Sequence, residues 1–320
     1  MHLIADVLEQ HLPQSYPAAA DAILSALPPP LNPDLRDDDF GHFIYLPLGF
    51  YIQNHGLEGH ISTSLDALEE LTQRFSMEFP IRAFLNRWPE ETLDRMQGWA
   101  GHSNYHVRRL VSEGTRPRLP WGQSIKLEDK ARWPLLDRLH ADPTRFVTRS
   151  VANHLNDLTR SAPEDVLARF RAWEAADQQS TKELEWMRRH ALRTLIKAGD
   201  PAAMDALGYR RDMVRAASIC FDRQDIKIGA SARIEAQITL SQDAPVLIDY
   251  VIDFIKANGS TSPKVFKLSV VEGKADVAIE VGKKHVFKKG ATTFTLHPGP
   301  HTVHLQVNGQ RVASSDFTLS

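Results

Sequence analysis

The densest run of chemically capable side chains is His102 to Trp121, HSNYHVRRLVSEGTRPRLPW. It sets Arg108, Arg109, Arg116 and Arg118 around a single carboxylate, Glu113, and closes on Trp121. A helix ending at Gly114 carries Glu113 in its last turn, where the helix dipole disfavours an anion. Pro117 and Pro120 then stiffen a loop that presents Arg and Trp. Two readings stand side by side. One is a helix end with a surface ion pair; the other is an acid held among cations for chemistry.

Two further acids sit in comparable places. Glu78 stands at a predicted helix start, where capping is the plain alternative. Asp157 lies in Val151-Ala-Asn-His-Leu-Asn-Asp-Leu158, about one turn after Asn153 and two turns after Arg149 and Ser150. An interhelical hydrogen bond is its plain alternative. No HExxH, Gly-rich phosphate loop or Ser nucleophile elbow occurs, so neither a metal nor a cofactor is expected. His301 and His304 are three apart in a strand pattern and point to opposite faces. Trp88, Trp99, Trp133 and Trp173 read as helix-packing residues.

The elements that must position these groups follow from periodicity. Residues 2–11, 17–27, 42–54 and 60–73 carry apolar positions at helical spacing, and Pro28-Pro29-Pro30 ends one of these helices. Asp37-Asp38-Asp39 is expected to cap the next. A pattern of a polar residue, an apolar one and then usually Arg opens predicted helices at Glu78–Arg82, Asn104–Arg108, Thr144–Thr148 and Glu185–Arg189. Their starts are separated by 26, 40 and 41 residues, with Asp212–Arg215 coming last. Helix pairs recurring at about 40 residues predict HEAT- or armadillo-like stacking, whose inner helices form a concave surface.

Beyond residue 226 the period changes to two. Ser231–Leu240, Lys264–Val270, Thr292–Leu296 and His301–Val307 alternate. Asn308-Gly309 between His301–Val307 and Arg311–Leu319 predicts a type I′ hairpin. About seven short strands in about 100 residues predict an immunoglobulin-like sandwich without the Cys…Trp…Cys core. The expected fold is therefore multidomain and mostly α: a HEAT-like α-solenoid over 1–215, followed by an immunoglobulin-like β-sandwich over 216–320.

Charge is divided in the same way. The 320 residues carry a formal net charge of -2. Residues 1–73 hold 11 acidic side chains against one basic, residues 74–215 hold 25 basic against 19 acidic, and residues 216–320 hold 12 basic against 10 acidic. An acidic N-terminus thus masks an Arg-rich middle that carries all six Trp. An Arg-lined concave surface is a track for a phosphate backbone. The single Cys220 excludes an intrachain disulfide and a Cys-cluster zinc site. There is no secretory leader pattern and no run of roughly 20 apolar residues, so a soluble, cytoplasmic, nucleoid-associated monomer is expected, with no membrane partner.

The stretch Asn104 to Trp121, with HVRRLVSEGTRPRLPW, closely resembles the core motif of the AlkC family of bacterial alkylpurine DNA glycosylases. VANHLNDL at 151–158 resembles it too, as does the order of helical repeats followed by a β-domain. The resemblance covers nearly the whole chain, although family members begin earlier, which implies that part of an initial helical unit is missing. It implies hydrolysis of the N-glycosidic bond of N3-methylcytosine and N3-methyladenine in double-stranded DNA, without full extrusion of the base. By residue matching it implies Glu78, Glu113 and Asp157 as catalytic acids, with Trp121 lining the same cleft.

Arg109, Arg116, Arg118, Arg149, Arg188 and Arg189 are the expected phosphate contacts. Gly282–Gly290 reads as a hairpin-like basic loop, with Lys283, Lys284 and Lys288 placed to close over the minor groove. Surface ion pairs, and lysines that guard a sheet edge, are the alternatives for these groups. The alternative function is a noncatalytic HEAT-repeat protein that binds damaged or structured DNA. No Lys in the motif is placed for a Schiff base, so no strand-cleaving activity is expected.

Overall fold

The computed structural model describes residues 2–33, 40–290 and 295–320. The expected Asp37–Asp39 cap, and most of the Thr292–Leu296 strand, lie outside the described residues. The chain forms two compact units, Met1–Leu192 and Arg193–Ser320.

The first unit is helical. Its elements are α1 (His2–Glu9), α2 (Tyr16–Ser25), α3 (Leu46–Gly56), α4 (Ile61–Thr72), α5 (Ile81–Arg87) and α6 (Pro89–Trp99), then α7 (Tyr105–Gly114), α8 (Asp129–Leu139), α9 (Arg145–Leu158), α10 (Pro163–Ala176) and α11 (Thr181–Ala191). Proline in the first turn starts α2, α3, α6 and α10, where its missing N–H is no loss. Asn104 caps α7 by accepting from the His106 amide at 2.8 Å.

Helix α9 packs between α7 and α11. Val147, Val151, Leu155 and Leu158 recur every three or four residues along it and are fully buried, as are Val107, Leu110 and Val111 of α7. Trp99, Trp133 and Trp173 are buried packing residues, as expected. Stacked helix pairs of this kind make a HEAT-like solenoid. Two helix-opening patterns fall elsewhere than expected. Glu185–Arg189 lies inside α11, which is opened by Ser180 accepting from the Glu183 amide at 3.3 Å. Asp212–Arg215 leads instead into a β-strand that begins at Val214. Among the described residues no helix is long and apolar enough to cross a membrane.

The second unit begins with α12 (Arg193–Ala198) and α13 (Pro201–Ala206). Among the described residues eight strands follow: β1 (Val214–Phe221), β2 (Asp225–Ile226), β3 (Ser231–Leu240), β4 (Ala244–Ile255), β5 (Thr261–Gly273), β6 (Ile279–Val286), β7 (Gly299–Val307) and β8 (Gln310–Leu319). They form a three-stranded sheet ordered β1-β3-β6 and a five-stranded sheet ordered β2-β8-β7-β4-β5. Between the sheets lie Ile234, Ile238, Ile248, Tyr250, Ile252, Phe287, Val303, Leu305 and Phe317. This is an immunoglobulin-like sandwich. Asn308 and Gly309 have φ of 46° and 80°, the left-handed pair that a type I′ hairpin requires.

The division at Leu192/Arg193 lies ahead of the 215/216 boundary expected from composition. Composition changes where the strands start. The compact unit starts earlier, because Met204 and Tyr209 bury against Leu247 of β4. The basic segment is also corrected: Lys283 and Lys284 lie in strand β6 rather than in a loop. Strand β6 is the last in its sheet, so exposed lysines there protect an edge. Lys283 Nζ donates to the Lys267 carbonyl at 2.9 Å, while Lys288 is exposed beyond the strand.

Candidate active site

Three carboxylates that are distant in sequence are joined by two arginines. At the end of α7, Glu113 is 4% exposed. Its Oε1 accepts from Arg116 Nη1 at 2.6 Å, and its Oε2 lies 3.6 Å from Arg109 Nη2. Arg109 also donates from Nη1 to Glu78 Oε2 at 3.0 Å. Arg116 reaches across to α9, donating to Asp157 from Nε at 2.9 Å and from Nη2 at 3.3 Å. The order is thus Glu78, Arg109, Glu113, Arg116, Asp157. Side-chain exposures along it range from 5% to 17%.

Sequence order dictates this convergence. Arg109 and Arg116 stand four before and three after Glu113, so both reach it along one face of α7 and its extension. Asp157 and Ser150 are two turns apart on α9 and face α7 together. The Ser150 hydroxyl donates to Glu113 Oε2 at 2.5 Å. The close approach of α7 to α5 requires Gly114, since a Cβ there would lie 2.8 Å from Ile81 Cγ2.

The electrostatics have opposing parts. Burial is the largest influence on Glu113 and pushes its carboxyl up. The Arg109 and Arg116 charges, with hydrogen bonds from Ser150 and Arg116, outweigh it and hold the group below the usual glutamate range. Burial pushes Arg116 down, but Glu113 and Asp157 raise it above an ordinary arginine. Glu113 is therefore ionised and Arg116 cationic at neutral pH.

Two arginines that sequence reasoning missed hold the loop behind this chain. Arg82, 1% exposed, donates to the carbonyls of Gly114 and Arg116 at 2.9 Å each and of Gln123 at 2.5 Å. Arg132, 2% exposed, donates to the Thr115 carbonyl at 2.9 Å and the Leu127 carbonyl at 2.7 Å. Burial, with the neighbouring Arg132 and Arg116 charges, lowers Arg82 to about 10, so it stays cationic at neutral pH. Fully buried arginines are rare, and nothing in their spacing sets them apart from surface ones.

A cavity of about 210 Å³ opens beside Glu113, lined by Phe40, Arg109, Phe146, Arg149, Ser150 and Asn153. Phe40 meets Phe146 edge-on at 5.3 Å, and the Arg109 guanidinium lies 4.7 Å from the Phe146 ring centre. Phe40 and Phe146 carried no signal in the sequence beyond their apolar character. Another depression, of about 460 Å³, lies on the three-stranded sheet, but its Arg233 pairs with Glu235 and its Gln237 with Glu280.

The expected site residues are thus brought together unequally. Glu78, Glu113 and Asp157 converge. Glu78 does not cap α5, whose first turn receives no side-chain cap bond. Trp121 is not among the residues that line the cavity. It is 96% exposed, at φ 59°. Arg109 and Arg116, expected on phosphates, are instead bound to the carboxylates, because burial leaves them no other way to balance their charge. Arg118 is exposed on the loop, and Arg149 lines the cavity. Arg188 pairs with Glu174 at 2.9 Å, and Arg189 is exposed on the last turn of α11.

The chain is similar to known proteins over most of its length. The family model described as "Uncharacterised protein YhaZ, C-terminal Ig-like domain" matches residues 215–320. The uncharacterized protein YhaZ of Bacillus subtilis (strain 168) is 35% identical over 273 residues, covering 84% of this chain and 75% of that protein. The structure of Pseudomonas fluorescens alkylpurine DNA glycosylase AlkC, bound to DNA containing an abasic site analog, superposes with a TM-score of 0.86. It is 32% identical, over 99% of this chain and 86% of that one. The chain belongs to the AlkC family of alkylpurine DNA glycosylases.

Proposed function

We propose that this protein is a monofunctional DNA glycosylase that hydrolyses the N-glycosidic bond of cationic alkylated bases, N3-methyladenine and N3-methylcytosine, in double-stranded DNA. The observation that carries the reading is the buried series Glu78, Arg109, Glu113, Arg116 and Asp157 beside an open cavity. Carboxylates buried among arginines are costly in a purely structural role. They suit a reaction in which positive charge develops on a sugar.

N3-methylation makes the base cationic and hence a good leaving group. The general acid of ordinary glycoside hydrolysis is then unnecessary. What remains is to stabilise an oxocarbenium-like deoxyribose and to orient a water, and carboxylates do both. Asp157 is the group we assign nearest the sugar and water, with Glu113 beside it. Glu78 acts through Arg109 as a positioning residue. The constellation contains no lysine, so it offers no amine for a Schiff base. The exposed Trp121 indole supplies an electron-rich face for a cationic base or sugar, an attraction of about 0.5–2 kcal/mol. We assign phosphate contacts to Arg118, Arg149 and Arg189, with Lys283, Lys284 and Lys288 in the second unit.

Base release from methylated duplex DNA, with the product bases separated, tests the reading. Removal of one preorganised charge typically costs about 2.7–4 kcal/mol, roughly 10²–10³ in rate. Asp157→Asn and Glu113→Gln are expected to lose that much while retaining DNA affinity. A protein that binds damaged DNA without cutting it would release no base at all.

A further inference from the structure

Glu113 is gripped from every side that packs against it. Its own helix supplies Arg109, which also holds Glu78, and the following loop supplies Arg116, which also holds Asp157. Helix α9 supplies Arg149 at the cavity wall and Ser150 at 2.5 Å. Ser150 is the one uncharged donor to this carboxylate among the described residues. Its hydroxyl has a single proton, and the neighbouring Ser112 hydroxyl lies 3.0 Å from Ser150 Oγ. Ser112 Oγ is placed to accept from Ser150, but the 2.5 Å contact with the charged carboxylate is the shorter and stronger of the two and takes the proton. Ser112 is fully buried, and its backbone carbonyl accepts from His154 Nδ1 at 3.0 Å. Burial holds His154 well below the usual histidine range, so that ring is neutral and Nδ1 carries the proton.

We propose that Ser150 is a positioning residue for this site. In this role the Ser150 hydroxyl, donating to Oε2, fixes the Glu113 carboxylate beside the cavity. The two arginines alone would balance the charge, but each also serves a second carboxylate and would draw Glu113 along the axis of the ion pairs. The hydroxyl holds Oε2 directly and sets the orientation. The proposal rests on the glycosylase reading for its catalytic meaning, but not for its test.

The test is the Glu113 titration, followed by carboxyl ¹³C chemical shift in selectively labelled protein, for the wild type, Ser150→Ala and Ser150→Thr. Loss of a hydrogen bond to a charged carboxylate raises the midpoint by about one to two pH units. Ser150→Ala is expected to show that rise, and Ser150→Thr, which keeps the hydroxyl, to restore the wild-type midpoint. In base release from methylated DNA, the acid limb of the pH profile is expected to move up in step for Ser150→Ala. A Glu113 midpoint unmoved by Ser150→Ala overturns the proposal. A moved midpoint in a protein that releases no base supports the hydroxyl's hold on Glu113 and contradicts the glycosylase reading instead.

Discussion

Arg116 and Asp157 stand 41 residues apart and meet in a forked ion pair, with Nε 2.9 Å from one carboxylate oxygen and Nη2 3.3 Å from the other. The same guanidinium holds Glu113 through Nη1. One planar cation therefore sets the spacing of two acids from two helices. Only arginine has the donors for this.

Replacing that cation tests how much the geometry matters beyond charge. Arg116→Lys keeps the charge but cannot fork to one carboxylate while bonding another. We expect base release to fall at least about 10²-fold, in the range seen when a preorganised charge is lost. Arg116→Met leaves two buried anions short of a partner and is expected to destabilise by about 3–5 kcal/mol in urea denaturation.

The sequence made some of this legible. The conflict between Glu113 and the α7 dipole is visible in the position of Gly114, and the two-turn spacing of Ser150 and Asp157 in VANHLNDL. Asn308-Gly309 announced its hairpin. Other features were hidden because a residue's type does not say which side of the surface it falls on. Arg82 and Arg132 read like any surface arginine until the loop carbonyls they serve are in place. Arg109 and Arg116 read as phosphate ligands because their partners come from elsewhere in the chain. Glu185–Arg189 repeats an opening motif, but the cap chemistry sits at Ser180.

The acid response of stability follows from Glu113. Its folded-state carboxyl is held below the usual glutamate range, so the unfolded chain takes up its proton first as pH falls. The contribution is fully present above the unfolded range and is lost as pH falls through the folded one. Urea denaturation of the wild type and Glu113→Gln is expected to show a stability gap at about pH 6 that narrows towards about pH 3. A gap that widens in acid would contradict the assignment.

Arg82 should act on the loop rather than on the acids. It satisfies the carbonyls of Gly114, Arg116 and Gln123, each costing about 1–3 kcal/mol if left buried and unpaired. Arg82→Met is expected to lower the thermal midpoint and to make residues 115–127 the first site of limited proteolysis.

Trp121 separates stability from function. Its φ of 59° is strained for a bulky residue, and its side chain is almost wholly exposed. Trp121→Gly relieves the backbone and is expected to raise stability by about 1 kcal/mol, where Trp121→Ala changes it little. Both are expected to weaken base release if the indole meets the lesion. Calorimetry and the release assay together read the two effects.

Asp157 and Glu113 are assigned to glycosidic-bond cleavage, and that assignment has a direct readout. It is tested most directly by base release from methylated duplex DNA with the wild type and Asp157→Asn at equal occupancy of DNA. The wild type is expected to free methylated bases and leave abasic sites, while Asp157→Asn binds the same DNA and releases them roughly 10²–10³ times more slowly. Methylated DNA that loses no base to the wild type, or an Asp157→Asn protein as fast as the wild type, would contradict it.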